Sequence, residues 1–175
     1  MEEKVKLRRA VEDDAANLVV LKQQVWVATY AVDGIRSEFS EYLLGEFTLA
    51  HEIKSLEDPE KMTLVAERNG HLIACAVVVL QARLSIPEYK ILPEISVLYV
   101  LERFTGKGVG QLLMNHVVDV LKELGHDTVF LTVYHKNLRA LEFYRHYGFI
   151  EAGHTYFEMG ENSYENRVLI FSAND

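Results

Sequence analysis

The stretch that decides the fold is residues 95–111, which read ISVLYVLERFTGKGVGQ. It opens with an almost continuous apolar run, Ile95–Val100, which predicts a strand buried in the middle of a sheet. A glycine-rich turn follows at Thr105–Gly110 and leads into apolar residues at helical spacing. Glycines let the backbone take positive φ, and several amide N–H groups then converge at the start of the helix. The stretch therefore predicts a strand–turn–helix unit that binds phosphate, with an added charge from Lys107.

Other phosphate-binding loops fit this glycine spacing less well. The dinucleotide fingerprint G-x-G-x-x-G fails because Gln111 occupies the third glycine position. The Walker A loop requires Ser or Thr after its lysine, and here Gly108 follows Lys107. The kinase glycine loop lies between antiparallel strands, not before a helix. A tight turn without any ligand stays open as an alternative, because glycine is common in every tight turn.

The elements after the turn have clear boundaries. An amphipathic helix follows and ends at Gly125, a strand is predicted at Thr128–Tyr134, and a second helix at Leu138–Tyr147. Asn137 caps the second helix and Gly148 ends it. The apolar stripe of the first helix consists of Leu112, Leu113, Val117, Val120, Leu121 and Leu124.

The rest of the chain completes a mixed sheet. We predict a short first strand at Val5–Ala10, a helix opened by Asp13 and Asp14, and one long helical stretch at Ser37–Leu56. A hairpin turns at Asn69-Gly70, a loop occupies Ser85–Pro93, and a closing hairpin surrounds the turn MGENSYEN; the hairpin strands are Thr63–Glu67, His71–Arg83, Phe149–Phe157 and Arg167–Phe171. This order predicts one α/β domain, residues 1–175, with a mostly antiparallel sheet of about six or seven strands and helices on both faces.

Two motifs at the right separation resemble the GCN5-related N-acetyltransferase (GNAT) superfamily. The signature Q/R-x-x-G-x-G/A is matched by Thr105–Gly110, except at its first position. The downstream pattern N-x-x-A-x-x-x-Y-x-x-x-G-F is matched by Asn137, Ala140, Tyr144, Gly148 and Phe149, and the opening R-x-A-x-x-x-D by Arg8, Ala10 and Asp14. The resemblance implies the GNAT acyl-CoA N-acyltransferase fold and transfer of an acetyl group from acetyl-CoA to an amine.

The resemblance also implies a cofactor site. The pantetheine arm of acetyl-CoA would pair with the backbone of the strand before the turn, and its pyrophosphate would bind the amides of the turn. Asn137 would contact acetyl-CoA near the thioester. The implied residues are Leu98, Tyr99, Val100, Gly106, Lys107, Gly108, Val109, Gly110, Gln111 and Asn137. Thr105 stands where relatives carry Gln or Arg, so Arg103 or Lys107 is a candidate to supply the missing charge.

The chemistry implied is direct attack of a neutral amine on the thioester. In relatives, a tyrosine at the position of Tyr144 protonates the leaving thiolate, and a phenol has a suitable pKa of about 10. The predicted base is Glu94, with His135 as a second candidate. Cys75 is a weak candidate nucleophile, since it lies in an apolar run typical of a buried thiol.

The acceptor is less defined than the donor. Residues 26–30 and 156–161 resemble the bacterial spermidine/spermine N-acetyltransferase branch, which favours a polyamine-like small molecule. Glutamates at positions 38, 41, 46 and 52 suit such a polycation, but a solvated helix face is the more common reason for such acids. A non-catalytic acyl-CoA-binding or regulatory domain, a protein or peptide N-acetyltransferase, and a nucleotide-binding protein stay open as alternatives.

Composition excludes several classes. A net charge of −8 disfavours nucleic acid as a partner, and a single cysteine allows neither an internal disulfide nor a cysteine-rich metal site, so no metal is expected. The charged N-terminus is unlike a signal peptide, and the longest apolar run, Ala74–Leu80, is too short to cross a bilayer. We therefore expect a cytoplasmic protein with no membrane partner. A homodimer is compatible with the superfamily resemblance, because dimers are common in that superfamily.

Overall fold

The fold is a seven-stranded sheet with five α-helices, seen in a computed structural model that describes residues 4–86 and 88–174. The strand order is β1-β2-β3-β4-β5-β7-β6. The strands are β1 Lys6–Arg9, β2 Lys61–Arg68, β3 His71–Ile86, β4 Tyr89–Val100, β5 Thr128–Tyr134, β6 Ile150–Met159 and β7 Asn162–Ser172. The helices are α1 Ala15–Tyr30, α2 Ser37–Glu46, α3 Leu49–Glu57, α4 Val109–Glu123 and α5 Leu138–Tyr147. The predicted mixed, mostly antiparallel sheet is confirmed.

The pairing within the sheet explains its mixed character. β1 runs antiparallel to β2, and β7 runs antiparallel to both β5 and β6. β4 and β5 are parallel and pair at Glu94 and Phe130. A parallel pair needs a crossover connection, and here that connection is α4.

The chain forms two compact units. The first comprises residues 1–77 and 97–117. Its core joins Leu18 and Leu21 of α1 to Val65 of β2 and Cys75 of β3, and all four side chains are almost fully buried. Burying such side chains contributes about 1.5–3 kcal/mol each to the unit's stability.

The second unit comprises residues 78–96 and 118–175. One side of its strands packs Ala82, Phe130, Val168 and Ile170 together. The aromatic ring of Phe171, the next residue along β7, contacts Tyr147 and Phe149 near the end of α5, with centroid distances of 5.2 and 5.4 Å. The prediction of a single domain stays a prediction.

The predicted helix at Ser37–Leu56 is wrong as one element. The structure has two helices there, α2 and α3, because the chain leaves helical geometry at Phe47 and Thr48. The Thr48 side chain accepts a hydrogen bond from the N–H of His51 at 3.2 Å and so begins a new helix. Thr is a favoured N-cap residue, and this signal was present in the sequence.

The predicted loop at Ser85–Pro93 is also wrong. Strand β3 continues to Ile86 and β4 begins at Tyr89, while residue 87 lies outside the described part. Pro93 is fully buried within β4, although proline usually marks the end or the edge of a strand. The prolines predict a break in a segment that instead belongs to two long neighbouring strands of the sheet, β3 and β4.

Two smaller boundaries also differ. The closing turn spans only Gly160 and Glu161, since β6 reaches Met159 and β7 begins at Asn162. Asp14 does not cap α1 through its side chain. It accepts hydrogen bonds from the Arg8 guanidinium at 2.7 and 2.9 Å, and these hydrogen bonds lower the pKa of Asp14.

Candidate active site

The glycine-rich turn has the geometry of an anion site. Gly106 and Gly108 have φ angles of 70° and 79°, which glycine adopts at little cost. The first intrahelical hydrogen bond of α4 runs from the N–H of Leu112 to the carbonyl of Gly108 at 3.0 Å, so the amides of residues 109–111 have no acceptor within the helix. A Cβ atom built on Gly106 or Gly108 meets nothing within 4 Å. The turn thus presents donors beside open space, as a diphosphate requires.

Thr105 does not replace the Gln or Arg of the signature. Its hydroxyl donates a hydrogen bond to the carbonyl of Glu102 at 2.8 Å, which closes the short helical turn Glu102–Phe104. The side chain therefore stabilises the turn from within and adds no positive charge.

Positive charge comes to the turn from Lys107 and from a residue that the sequence did not reveal, Arg68. The Arg68 guanidinium carbon lies 4.8 Å from the centroid of the Phe104 ring, and the Lys107 Nζ lies 5.8 Å from it. Both line a cavity of about 720 Å³ together with Lys4 and Val109. Arg103, the other predicted source of charge, lines a neighbouring cavity of about 510 Å³ that Arg68 shares.

The remaining cofactor residues of the first unit lie on β4. Leu98, Tyr99 and Val100 are half-buried at its end, just before the turn. Tyr99 packs against the core of Leu18 and Cys75. The first unit thus contains all predicted cofactor residues except Asn137.

The second unit contains Glu94 on the wall of a cavity of about 650 Å³. The carboxyl is half-buried and has no hydrogen-bond or ion-pair partner among the described residues, and burial raises its pKa. Strand pairing with Phe130 fixes its position. The other lining residues that matter below are Arg83, Glu88, Thr132, His154, Tyr156 and Asn166.

Tyr144 and Asn137 lie on α5 in the same unit. Tyr144 is 8% exposed, and its ring contacts Phe143 and Phe149 with centroid distances of 5.4 and 5.6 Å. The Asn137 side-chain oxygen accepts the N–H of Ala140 at 3.2 Å, so this residue is the N-cap of α5 as predicted. His135 contacts the ring of Tyr134 at 5.1 Å and does not line the cavity of Glu94.

Comparison with known proteins now decides the family. The family model described as acetyltransferase (GNAT) family matches residues 27–149. The chain belongs to the GNAT family. It is therefore an N-acetyltransferase that uses acetyl-CoA, which confirms the predicted activity, cosubstrate and fold.

Relatives of this GNAT enzyme agree with that assignment. An uncharacterised N-acetyltransferase of Mycobacterium bovis is 29% identical over 66% of this chain and 69% of its own. The PaiA N-acetyltransferase of Thermoplasma acidophilum, solved with coenzyme A, has a TM-score of 0.73 and 16% identity over 97% of this chain and 99% of that one. A ribosomal-protein-alanine N-acetyltransferase of Brucella melitensis has a TM-score of 0.74 and 20% identity, covering 95% and 99%. At these identities the solved structures show the fold alone.

Cys75 has no nucleophilic role in this GNAT enzyme. Its side chain is fully buried, and burial raises the pKa of the thiol to about 12, so almost no thiolate exists at neutral pH. In the same unit, the Lys22 ammonium contacts both oxygens of Glu52 at 2.7 and 2.8 Å, and both side chains are buried. The thiol belongs to the core of the first unit, as the sequence pattern indicated.

Across residues 4–86 and 88–174 of the GNAT chain, no three His, Cys, Asp or Glu side chains are placed to hold a metal ion. In the same part of the chain, no helix combines the length and apolar character needed to span a membrane.

Proposed function

We propose that this GNAT enzyme acetylates a primary amine of a small molecule bound in the cavity of the second unit. The observation that carries the proposal is Glu94, a half-buried carboxyl with a raised pKa on the wall of a 650 Å³ cavity. Cavities of about 300–1,000 Å³ suit small-molecule ligands. This volume favours a small acceptor over a folded protein.

The proposed donor site is the glycine turn of the first unit. Amides of Gly106 to Gln111 hold the diphosphate, with charge from Lys107 and Arg68, and the backbone of Leu98 to Val100 binds the pantetheine arm. Asn137 contacts the cosubstrate near its reactive end. Acetyl-CoA supplies the acetyl group as an activated thioester.

Glu94 acts as the general base in this proposal. An alkylammonium has a pKa of about 10.4, so the acceptor arrives protonated and must lose a proton before its nitrogen can attack. A carboxyl whose pKa is raised by burial accepts that proton more readily than an exposed one. The new N–C bond then forms while the C–S bond breaks.

Tyr144 acts as the general acid in this proposal. The departing thiolate needs a proton, and a phenol is well matched to it because both groups have pKa values within about two units of each other. The rings of Phe143 and Phe149 hold the Tyr144 side chain in one orientation. The nitrogen loses two protons in all. The first goes to Glu94, which later releases it to water, and the second leaves after the N–C bond has formed and replaces the proton that Tyr144 gave to sulfur.

The polyamine preference stays a prediction, and its support has weakened. Two of the four glutamates that suggested it form ion pairs within the chain, Glu52 with the buried Lys22 and Glu38 with the exposed Arg36. Glu41 and Glu46 remain exposed, as on an ordinary solvated helix.

The test is release of the coenzyme A thiol with a panel of acceptors. The panel holds polyamines, amino acids, amino sugars and short peptides at equal concentration. We expect acceptor-dependent release with at least one small amine and none with peptides. Tight binding of acetyl-CoA by calorimetry without turnover on any acceptor would contradict the proposal.

A further inference from the structure

The cavity around Glu94 contains a second charged side chain, Arg83, for which the described residues supply no partner. Within the residues that the structure describes, Arg83 makes no hydrogen bond and no ion pair. Other arginines of the second unit are paired, Arg145 with Glu151 at 3.1 Å and Arg167 with Glu151 at 3.2 Å. Arg83 thus differs from these arginines, because none of the described carboxylates, including Glu88 and Glu94 on the same wall, forms an ion pair with it.

The cavity wall separates into charged and apolar parts. Phe130 and Val168 belong to the apolar cluster of the second unit and also line the cavity with Leu84 and Ile86. Thr132 and Asn166 add half-buried side chains with a hydroxyl and an amide that are able to hydrogen-bond a ligand. Such a surface can pack against the short carbon skeleton of a ligand, while the polar groups of that ligand contact Arg83 and Glu94.

Charge complementarity limits which amines fit. A purely cationic acceptor brings its positive charges near Arg83, and like charges at a recognition site are unfavourable. Arg83 is exposed in the free protein, and a neutral amine that fills the cavity displaces part of its water without offering a charged partner in exchange. An amine that also carries an anion satisfies both Glu94 and Arg83.

We propose that the acceptor carries an acidic group besides its amine, as α-amino acids do, and that Arg83 binds this group while Glu94 faces the amine. This inference rests on the proposed function, since it takes the Glu94 cavity as the acceptor site. Arginine suits the task because its planar guanidinium binds a carboxylate through two parallel hydrogen bonds.

Glu88 is the other charge on this wall and the alternative partner for Arg83. It is exposed, and no ion pair joins it to Arg83 in the described residues. If Glu88 is the true partner of Arg83 in solution, Arg83 stabilises the protein and does not recognise a ligand.

The experiment measures kcat and KM for matched acceptors. L-leucine, L-methionine and L-phenylalanine are each compared with their amides and their decarboxylated amines, and aminoalkylphosphonates replace the carboxylate by another anion. We expect wild-type kcat/KM to be about 10- to 100-fold higher for the acid than for its amide, in line with a charge-assisted hydrogen bond. The phosphonates distinguish recognition of any anion from recognition of a carboxylate.

The variants are Arg83→Met, Arg83→Lys, Glu88→Gln and, as the matched control, Arg145→Met. Arg83→Met should raise KM for the acids about 10- to 100-fold and change the amides by less than about threefold, and Arg83→Lys should restore part of the preference. Arg145 is exposed and does not line the cavity, so Arg145→Met should behave as wild type. An equal loss for acids and amides in Arg83→Met would overturn the inference. So would equal losses of Tm in Arg83→Met and Glu88→Gln with the acid-to-amide ratio unchanged.

Binding separates this inference from the proposed function. Calorimetry compares N-acetyl-L-leucine with its amide on the protein saturated with coenzyme A. If the acid binds to wild type and Arg83→Met abolishes that binding, the anion site is supported even when no acceptor releases thiol. That combination contradicts the proposed function and leaves the inference standing. Turnover of spermidine or uncharged amines with no preference for acids supports the proposed function and overturns the inference. An absence of both turnover and Arg83-dependent binding overturns both.

Discussion

Lys22 of α1 and Glu52 of α3 form a buried ion pair, with each side chain only 6% exposed and the Lys22 Nζ 2.7 Å from the nearer oxygen of Glu52. The pair fastens two helices that the sequence pattern alone does not bring together. A buried pair is expensive to break, because removing one partner leaves an uncompensated charge in a low-dielectric interior.

We therefore predict that Glu52→Gln lowers the free energy of unfolding by about 3–5 kcal/mol. The double variant Lys22→Met/Glu52→Leu should recover most of that loss, since it removes both charges and keeps similar volume. Urea denaturation followed by circular dichroism measures both. If the double variant is as unstable as Glu52→Gln, the loss does not come from an unpaired buried charge. The ion pair itself would then stabilise the fold.

Gly108 gives a prediction about cofactor binding. Gly108→Glu should abolish coenzyme A binding, because it places a negative side chain beside the donors of α4 and strains a backbone with φ of 79°. Gly125→Glu is the matched control, since Gly125 has a φ of 86° and also meets nothing within 4 Å of an added Cβ. Calorimetry should find the control binding as wild type, after both variants are shown to be folded. Unchanged affinity in Gly108→Glu would remove the turn from the donor site.

Replacing the carboxyl of Glu94 should lower activity and raise thermal stability. Glu94→Gln should lower kcat by about 10²- to 10⁴-fold, which is the usual effect of losing a general base. In wild type, kcat/KM should rise with pH as the Glu94 carboxyl loses its proton, and this limb should lie above the ordinary glutamate pKa because burial raises the pKa of Glu94.

Stability should move the other way. A carboxyl with a raised pKa binds its proton more tightly when folded, so its contribution to stability is present below the ordinary pKa of 4.5 and is lost as pH rises through the folded value. Glu94→Gln removes this loss and should raise Tm at pH 8 relative to wild type, with little change at pH 4. Calorimetric scans at both pH values give the comparison, and a lower Tm at pH 8 would indicate that the charged carboxyl is stabilised by a partner.

Tyr144 and Tyr147 provide a matched pair on one helix. Tyr144→Phe should lower kcat about 10- to 1,000-fold with little loss of coenzyme A affinity, because it deletes the proton donor and keeps the ring packing. Tyr147→Phe should leave kcat within about threefold, since the Tyr147 ring contacts Phe149 and Phe171 and has no proposed catalytic task. Steady-state kinetics with any accepted amine decides between them. Equal turnover in the two variants would exclude Tyr144 as the acid.

Local signals explain which parts of the fold were predictable. The bounds of β5 and α5 follow directly from the sequence, because Asn137 and Gly148 mark the two ends of the helix. The full lengths of β3 and β4 were not predictable because proline usually interrupts a strand, whereas Pro93 is buried within β4. The break between α2 and α3 was signalled by Thr48, but the apolar spacing on either side obscured it.

The site divides in the same way. The glycine turn is predictable because its residues are adjacent in sequence and their backbone conformation depends on glycine. Arg68 and Arg83 were not predictable, because their importance comes from long-range contacts, with Phe104 in one case and with the Glu94 cavity in the other. A lone arginine in a strand carries no pattern that distinguishes it from a solvated charge.

The burial of Cys75 has a practical consequence for measuring this enzyme. The chain contains a single cysteine, and its thiol is sealed in the core of the first unit. A colorimetric thiol reagent added to the folded protein should therefore find no reactive sulfur except that of newly freed coenzyme A, so turnover can be followed continuously without background. The same reagent would give a delayed signal whenever the first unit opens, and one cuvette would report both catalysis and local unfolding.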